Sequence, residues 1–460
     1  VIPITFAALV VLAMGVALLD WRRGWLLALI IGVLQDPARK LTPGTPVVMT
    51  YSIVFVFFIV LIAARRPLQQ HMNDLGDRFR RLYSVSALVV LFVLIGAVNG
   101  LFTFGLGFWE VPALSLFIYL APLTALVFGY TYANSEETIV EFFRFYAIIT
   151  TIALVGTPLE YLKLPWTSLG MVAFPEGFIR HLPGVQIRIL SGFYRAPDIM
   201  GWHAAMLTII GATLALRARR LMKAWPWILV AGWGFLNCIL SGRRKATYMV
   251  AVFAIALLWR YMRRLTTGQV ILFSAVCVML FIVVHNLSSS EESSAYTKGT
   301  VISTEEVLQR LNGGVVETFE QFGWLGAGLG AATQGVRHFT KQDINVGWQE
   351  GGLGKFAVEL GLPGLLAVAA AAWVLIRLMM KITSFGDEAG TSQLMRAALF
   401  AIFIANVVEF LVSAQAYSDA VLTLLTAFLL GALLATARIE PPVENAEPKP
   451  ALATRRTALA

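Results

Sequence analysis

Three consecutive cations, Arg243-Arg244-Lys245, follow Ser241-Gly242 in a short turn between two apolar stretches. Cations clustered at a membrane surface make a natural seat for a phosphate or pyrophosphate, because a guanidinium can grip such an anion through two parallel N–H bonds. A second group, Arg180, His181, Arg188 and Arg195, gathers in a stretch with little acid beyond Glu160 and Glu176. Arg195 sits in Gly192-Phe193-Tyr194-Arg195-Ala196-Pro197-Asp198, where the proline and the apolar run carrying His203 fix its position. An interfacial aromatic belt with snorkelling arginines is the plain alternative, above all for Arg180.

The acids are fewer. Lys355 and Glu359 are four residues apart on one predicted helix, a spacing that pairs them. That leaves Glu350 unassigned between Trp348-Gln349 and Gly351-Gly352; a solvated loop carboxylate is its ordinary role. Glu409 lies one turn after Asn406 inside an apolar run, and an acid in such a place is expected to face the bundle interior. Gly323-Trp324-Leu325-Gly326-Ala327-Gly328-Leu329-Gly330 has the look of a nucleotide loop, but no strand precedes it and the phosphate-loop lysine is missing. Close backbone packing against a span or a lipid chain is the better reading.

What positions these residues follows from composition. The 460-residue chain is 58% hydrophobic and 14% charged, with a mean hydropathy of +0.74. Soluble domains carry nearer a quarter charged residues. Apolar runs of about 18 residues or more recur throughout, each long enough to cross a hydrocarbon layer of about 30 Å. Without period-2 alternation these runs must be helices, since a backbone in lipid has to satisfy its own hydrogen bonds. The predicted fold class is therefore an all-α polytopic membrane protein of about 12–13 transmembrane helices. Predicted spans are 1–19, a short 24–36, 46–64, 83–101, 111–133, 138–157, 198–216, 225–241, 246–262, 268–287, 355–379, 396–414 and 418–438. The first lacks a signal-peptide cleavage pattern and reads as a span. Residues 1–439 form one transmembrane domain, and the Pro-, Ala- and Glu-rich 440–460 is expected to be a disordered cytoplasmic tail. Cys238 and Cys277 both fall within apolar runs, which argues against a disulfide.

The net charge of +9 is not a nucleic-acid footprint, because the cations stand in short clusters between spans. Arg65/Arg66/Arg78/Arg80/Arg81, Arg217/Arg219/Arg220/Lys223, Arg260/Arg263/Arg264 and Arg377/Lys381 fall on one side when the spans alternate, and the positive-inside rule makes that side cytoplasmic. The two long polar stretches, about 158–197 and 288–354, then face outward. Within the second, Ser303-Thr304-Glu305-Glu306 forms a capping box and a further helical stretch reaches Phe322. The cluster 243–245 breaks the charge rule by lying outside: either a neighbouring span is misassigned or the exception is functional, and the flanking clusters at 217–223 and 260–264, which both belong inside and so need two spans between them, favour function.

At these residues the chain resembles the O-antigen ligase and O-antigen polymerase superfamily of bacterial envelope glycosyltransferases. Four pieces carry the likeness in the family's order: Phe193–Asp198 leading into Gly201; Leu240-Ser241-Gly242-Arg243-Arg244-Lys245-Ala246; Arg310 followed by Trp324–Gly330; and Glu359-Leu360-Gly361-Leu362-Pro363-Gly364-Leu365-Leu366. They cover about the second half of the chain. The resemblance implies a GT-C-type helical fold and transfer of a glycan from an undecaprenyl-pyrophosphate-linked donor to an acceptor sugar hydroxyl on the periplasmic face, with inversion and without nucleotide sugar. It implies that Arg195 and Arg243 or Arg244, with Arg310, hold the pyrophosphate, and that Arg188, Lys245, His338, Trp348, Glu359 and Glu409 are accessory. Ligases of this family usually have a His-Asn pair about nine residues before the glutamate equivalent to Glu359; here that position is Glu350, followed by Gly351, and the nearest histidine is His338. Glu350 is accordingly the expected general base, since a carboxylate can accept the proton of an attacking hydroxyl.

The partners so implied are the lipid-linked glycan, an acceptor glycan or lipid, membrane lipids, and chain-length regulator or export proteins; the location implied is the bacterial inner membrane, with the site facing the periplasm. No cofactor is expected, nor a metal, since no cluster of ligating residues stands out. A secondary transporter or lipid-linked glycan flippase is the rival class, opposed by the lack of an internal repeat and by intramembrane charges gathered toward the outer ends. A peptidoglycan polymerase of the shape, elongation and division family would share the donor logic, but its motifs are missing. A non-catalytic scaffold leaves the outer arginines unexplained.

Overall fold

Ile2–Leu19 carries no charged side chain, and in lipid such a run has no lower state than a helix; it forms α1. The structure, a computed structural model, describes residues 2–172, 178–182, 185–218, 220–261, 268, 271, 315–333, 351–384 and 392–439. After α1 come α2 (Trp21–Lys40), α3 (Ser52–Ala63), α4 (Arg65–Arg78), α5 (Arg80–Phe104), α6 (Glu110–Tyr132), α7 (Glu136–Ala153) and the short α8 (Gly156–Tyr161). A hairpin, β1 (Phe178–Leu182) and β2 (Val185–Ile189), precedes α9 (Pro197–Arg217), α10 (Leu221–Leu240) and α11 (Arg244–Tyr261). Then follow α12 (Gly352–Ile382), α13 (Gln393–Val412) and α14 (Ala420–Ala435).

The molecule is an all-α polytopic membrane protein, as composition predicted. Among the described residues seven helices are long and apolar enough to cross a membrane: α1, α5, α6, α7 with α8, α9, α12 and α13. A bent pair, Val47–Ala63 with Arg65–Arg78 at 81°, makes an eighth if taken as one span. The expected dozen thus resolves into a smaller apolar set and several shorter or more polar helices. α2 and α11 carry too many charges near their ends, α10 is diluted by tryptophans, Lys223 and Pro226, and α14 has only 16 residues. All but 268 and 271 of the predicted 268–287 span, the capping box at Ser303–Glu306 and the 440–460 tail lie outside the described residues.

Two ends of the bundle are defined by contacts rather than by charge statistics. At one, Arg217 on α9 meets Glu136 and Glu137 on α7, Ser392 before α13 bonds Glu136, and Arg260 on α11 bonds Met380 O and Thr383 on α12. At the other lie Asp36, Arg195, Asp198, Lys245, Lys355 and Asp419. Helix α11 ends at Tyr261 on the Arg217 end, and α12 begins at Gly352 on the Arg195 end.

α9 is the hub, buried along nearly its whole length and packed on α7, α10, α11 and α13. Small residues bring backbones together where no hydrophobic force drives helix association in lipid. A Cβ on Gly129 of α6 would collide with Phe428 O, and one on Gly431 of α14 with Leu126 O, so α6 and α14 touch backbone to backbone. The core around them is aromatic, with Trp25, Phe57, Phe128, Tyr132, Phe142 and Phe428 in mutual ring contact.

Candidate functional site

The site region is built at the Arg195 end from a set of buried or half-buried carboxylates and the cations they hold. Glu160 on α8 accepts the backbone N–H groups of Ser191 (2.9 Å) and Gly192 (2.6 Å), and Lys40 Nζ donates to the carbonyls of Gly192 (2.9 Å) and Tyr194 (2.6 Å). Gly192, at φ +55°, passes so close to Thr157 that a side chain there would clash. Tyr194 stacks on His203 at 4.8 Å, and His203 is held in turn by the Tyr146 hydroxyl at 2.8 Å. The segment entering α9 is therefore pinned before it reaches Arg195.

Arg195 is gripped by two acids from opposite ends of the chain. Its backbone N–H and its Nη1 both donate to Asp36 at 3.0 Å, and Nη2 forms an ion pair with Asp419 Oδ2 at 2.5 Å. Asp419 also caps α14, accepting from Val421 and Leu422 N–H. Burial alone would lower the guanidinium's pKa, but Asp36 and Asp419 outweigh it and hold it above the ordinary arginine value. The side chain keeps 18% of its surface exposed, so a further anion can still reach it.

The 241–245 turn is organised by Gly242 at φ +62° and by Ser241, whose Oγ accepts from Arg243 N–H (3.1 Å) and donates to Cys238 O (2.6 Å). Two of its three cations converge on one acid: Arg243 Nη2 lies 3.1 Å from Asp198 Oδ2 and Lys245 Nζ 2.8 Å from Oδ1. Lys245 also donates to Ser413 Oγ at 3.1 Å. Arg244 is buried, Lys245 nearly so, and Arg243 is the most exposed of the three. Arg188, on β2, is half-buried beside Ile187 and Ile189, which pack under Gly242. Glu409 is buried as expected; Tyr417 donates to its Oε2 at 3.3 Å, and among the described residues its Oε1 has no hydrogen-bond partner.

The glycine series is a packing element. Gly326, Gly328 and Gly330 all have positive φ, and their backbone threads between α5, α6 and α12. Ala327 N–H donates to Val358 O (2.7 Å), Leu329 N–H to Gly96 O (2.8 Å), and Leu362 N–H to Trp324 O (2.9 Å). The predicted Lys355–Glu359 pair forms at 2.8 Å. Glu359 is fully buried and accepts four further hydrogen bonds: Tyr119 OH (2.7 Å), Thr333 Oγ1 (2.7 Å), and the N–H groups of Gly330 (3.3 Å) and Ala332 (3.2 Å). It organises the loop from inside, a structural role.

An open apolar cavity of about 350 Å³ lies between α6, α12, α13 and α14, walled by Tyr119, Phe356, Phe403, Phe410 and Leu430. At its Arg195 end it meets a small recess where Thr333, Lys355, Gln415 and Ser418 stand beside Ile118, Ala332 and Ala414. A second apolar cavity, of about 400 Å³, lies between α2, α7 and Phe193-Tyr194.

The structure thus brings Arg195, Arg243 and Lys245 to one end with Glu359 and Glu409. Glu350, Arg310, His338 and Trp348 lie outside the described residues. Asp36, Asp198 and Asp419 were missed by sequence reading, although each stands at the end of a predicted span, where an acid has a reason to face protein. Among the described residues no group of three or more His, Cys, Asp or Glu side chains is placed to hold a metal ion. Compared with protein-family models and with curated proteins, the chain matches none.

Proposed function

We propose that the chain is a glycosyltransferase of the O-antigen ligase and polymerase kind, moving a glycan from an undecaprenyl-pyrophosphate-linked donor to an acceptor sugar hydroxyl. The observation that carries the reading is the set of partly exposed cations, Arg195, Arg243 and Lys245, held by Asp36, Asp198 and Asp419 at one end of the bundle. A pyrophosphate leaving group gains negative charge as the anomeric C–O bond breaks, and preorganised cations lower that barrier. Asp36, Asp198 and Asp419 keep those cations in place in the donor's absence, so that little reorganisation is needed when it arrives.

In this reading the acceptor oxygen attacks the anomeric carbon as the bond to pyrophosphate breaks. Its proton passes to Glu350, and the pyrophosphate remains on its lipid. The cation-rich end faces the periplasm, the protein resides in the bacterial inner membrane, and Ala435 and the tail lie on the cytoplasmic side.

Incubating the purified protein with lipid-linked repeat units, with and without an acceptor, tests the reading. A ladder of products marks a polymerase and a single mobility shift a ligase; no product with either refutes the assignment. Replacing Arg243 with Gln is expected to lower turnover at least tenfold, the loss of one charge-assisted contact. Full activity in Glu350→Gln would remove that residue as the base.

A further inference from the structure

Among the described residues Lys355 is the one cation lining the apolar cavity between α6, α12, α13 and α14, and it also lines the small recess at the cavity's end. The cavity extends along α14 from Thr423 to Leu430, about 10 Å at the rise of an α-helix. Its walls are apolar and aromatic, while the recess offers the ammonium of Lys355 together with Thr333, Gln415 and Ser418. A hydrocarbon chain ending in an anion has this division of chemistry.

Lys355 is also able to change partners. Its ammonium touches Glu359 Oε2 and Thr333 Oγ1 and lies 5.6 Å from the Tyr119 ring. Glu359 does not depend on it, because Tyr119, Thr333, Gly330 and Ala332 supply four other donors to the carboxylate. Thr333 does not depend on it either, since it donates to Glu359 and still accepts from Ser115 at 3.0 Å. Turning the ammonium toward an incoming anion leaves Glu359 its four hydrogen-bond donors; the lost counter-charge is a cost that the anion's own pairing with Lys355 offsets.

The recess also adjoins the cation cluster. Ala414, Gln415, Tyr417 and Ser418 line the two cavities, while Ser413 just before them bonds Lys245 and Asp419 just after them contacts Arg195. One short turn, Ala414–Ser418, forms the wall between the lipid-facing cavity and the cations.

We propose that this cavity is the binding site for the lipid of the donor: the first part of the prenyl chain lies between α6, α12, α13 and α14, and Lys355 reads the phosphate nearest the chain. The choice of an undecaprenyl lipid over an ordinary phospholipid rests on the proposed function; the site itself rests on the cavity and on Lys355.

The test uses the full-length protein in detergent, with native mass spectrometry reading retention of added undecaprenyl pyrophosphate or phosphatidylglycerol. Lys355→Gln is expected to weaken undecaprenyl pyrophosphate binding at least tenfold, with Lys355→Arg restoring most of it. Val407→Trp, which fills the cavity, is expected to abolish lipid retention while leaving the binding of inorganic pyrophosphate unchanged. Wild-type affinity in both Lys355→Gln and Val407→Trp overturns the site, and equal binding of phosphatidylglycerol with the same sensitivity to these variants overturns the occupant. Should Val407→Trp not fold, the Lys355 pair decides alone. Lipid binding that follows these expectations, in a protein that transfers no glycan, supports the site and refutes the enzymatic reading instead; transfer at the wild-type rate by both variants does the reverse.

Discussion

Arg195 shows how much a side chain's surroundings decide about it. Its type and its place before Pro197 marked it from sequence, but its partners could not be read there, since Asp36 lies 159 residues away and Asp419 begins the last described helix. Pairing over such separations is a property of the packed bundle, not of local pattern. The same limit hid Asp198 beneath Arg243 and Lys245, whereas the Lys355–Glu359 pair was legible because both ride one helix. The latch also makes a stability prediction. Replacing Asp36 with Asn, or Arg195 with Gln, leaves a buried charge short of its counter-ion and should cost about 3 kcal/mol. The double variant should cost less than the sum of the two, as expected for groups in one network. Denaturation in mild detergent reads these values, and strict additivity would show that the latch is not energetically coupled.

At the scale of elements, most helices were legible because apolar length is a local property. What escaped were features set by exceptions within a run. α3 and α4 were expected to form a span and a basic connection; the structure turns the chain by 81° at Ala64–Arg65, where the apolar run gives way to Arg65-Arg66. The hairpin in the first polar stretch had a readable period-2 signal, with Ile187 and Ile189 buried around the half-buried Arg188, but it is too short to stand out beside the spans. The glycine series was legible as close packing, and its members can be told apart by experiment. Gly323 and Gly328 both have positive φ, +70° and +89°, yet a Cβ meets nothing at Gly323 and strikes the Gly100 backbone at Gly328. Gly323→Ala should therefore cost about 1 kcal/mol, the backbone penalty alone. Gly328→Ala should cost at least about 2 kcal/mol more, comparable to overpacking a core. Equal effects on thermal unfolding would contradict the threaded loop.

For the molecule as a whole, alternating the helices separates an Arg195 end from an Arg217 end, and this division was the part of the fold most fully anticipated from the basic clusters. Cysteines placed at Leu106 and Met222, both strongly exposed and at opposite ends, should react with a membrane-impermeant maleimide from opposite sides of sealed vesicles, in a background with Cys277→Ser; the described native thiol, Cys238, is buried. Labelling from the same side would refute the arrangement. The two-acid latch has a further meaning when the chain is considered as it is made. Asp36 leaves the ribosome early, Arg195 midway, and Asp419 only as the last described helix begins. Until then the arginine has one of its two counter-charges, and α6 lacks the glycine-lined neighbour on which its backbone rests. A chain cut short before Asp419 would have an under-neutralised guanidinium and an open groove beside α6. Both are closed by the same late-made piece, Asp419 and α14, the last of the described helices.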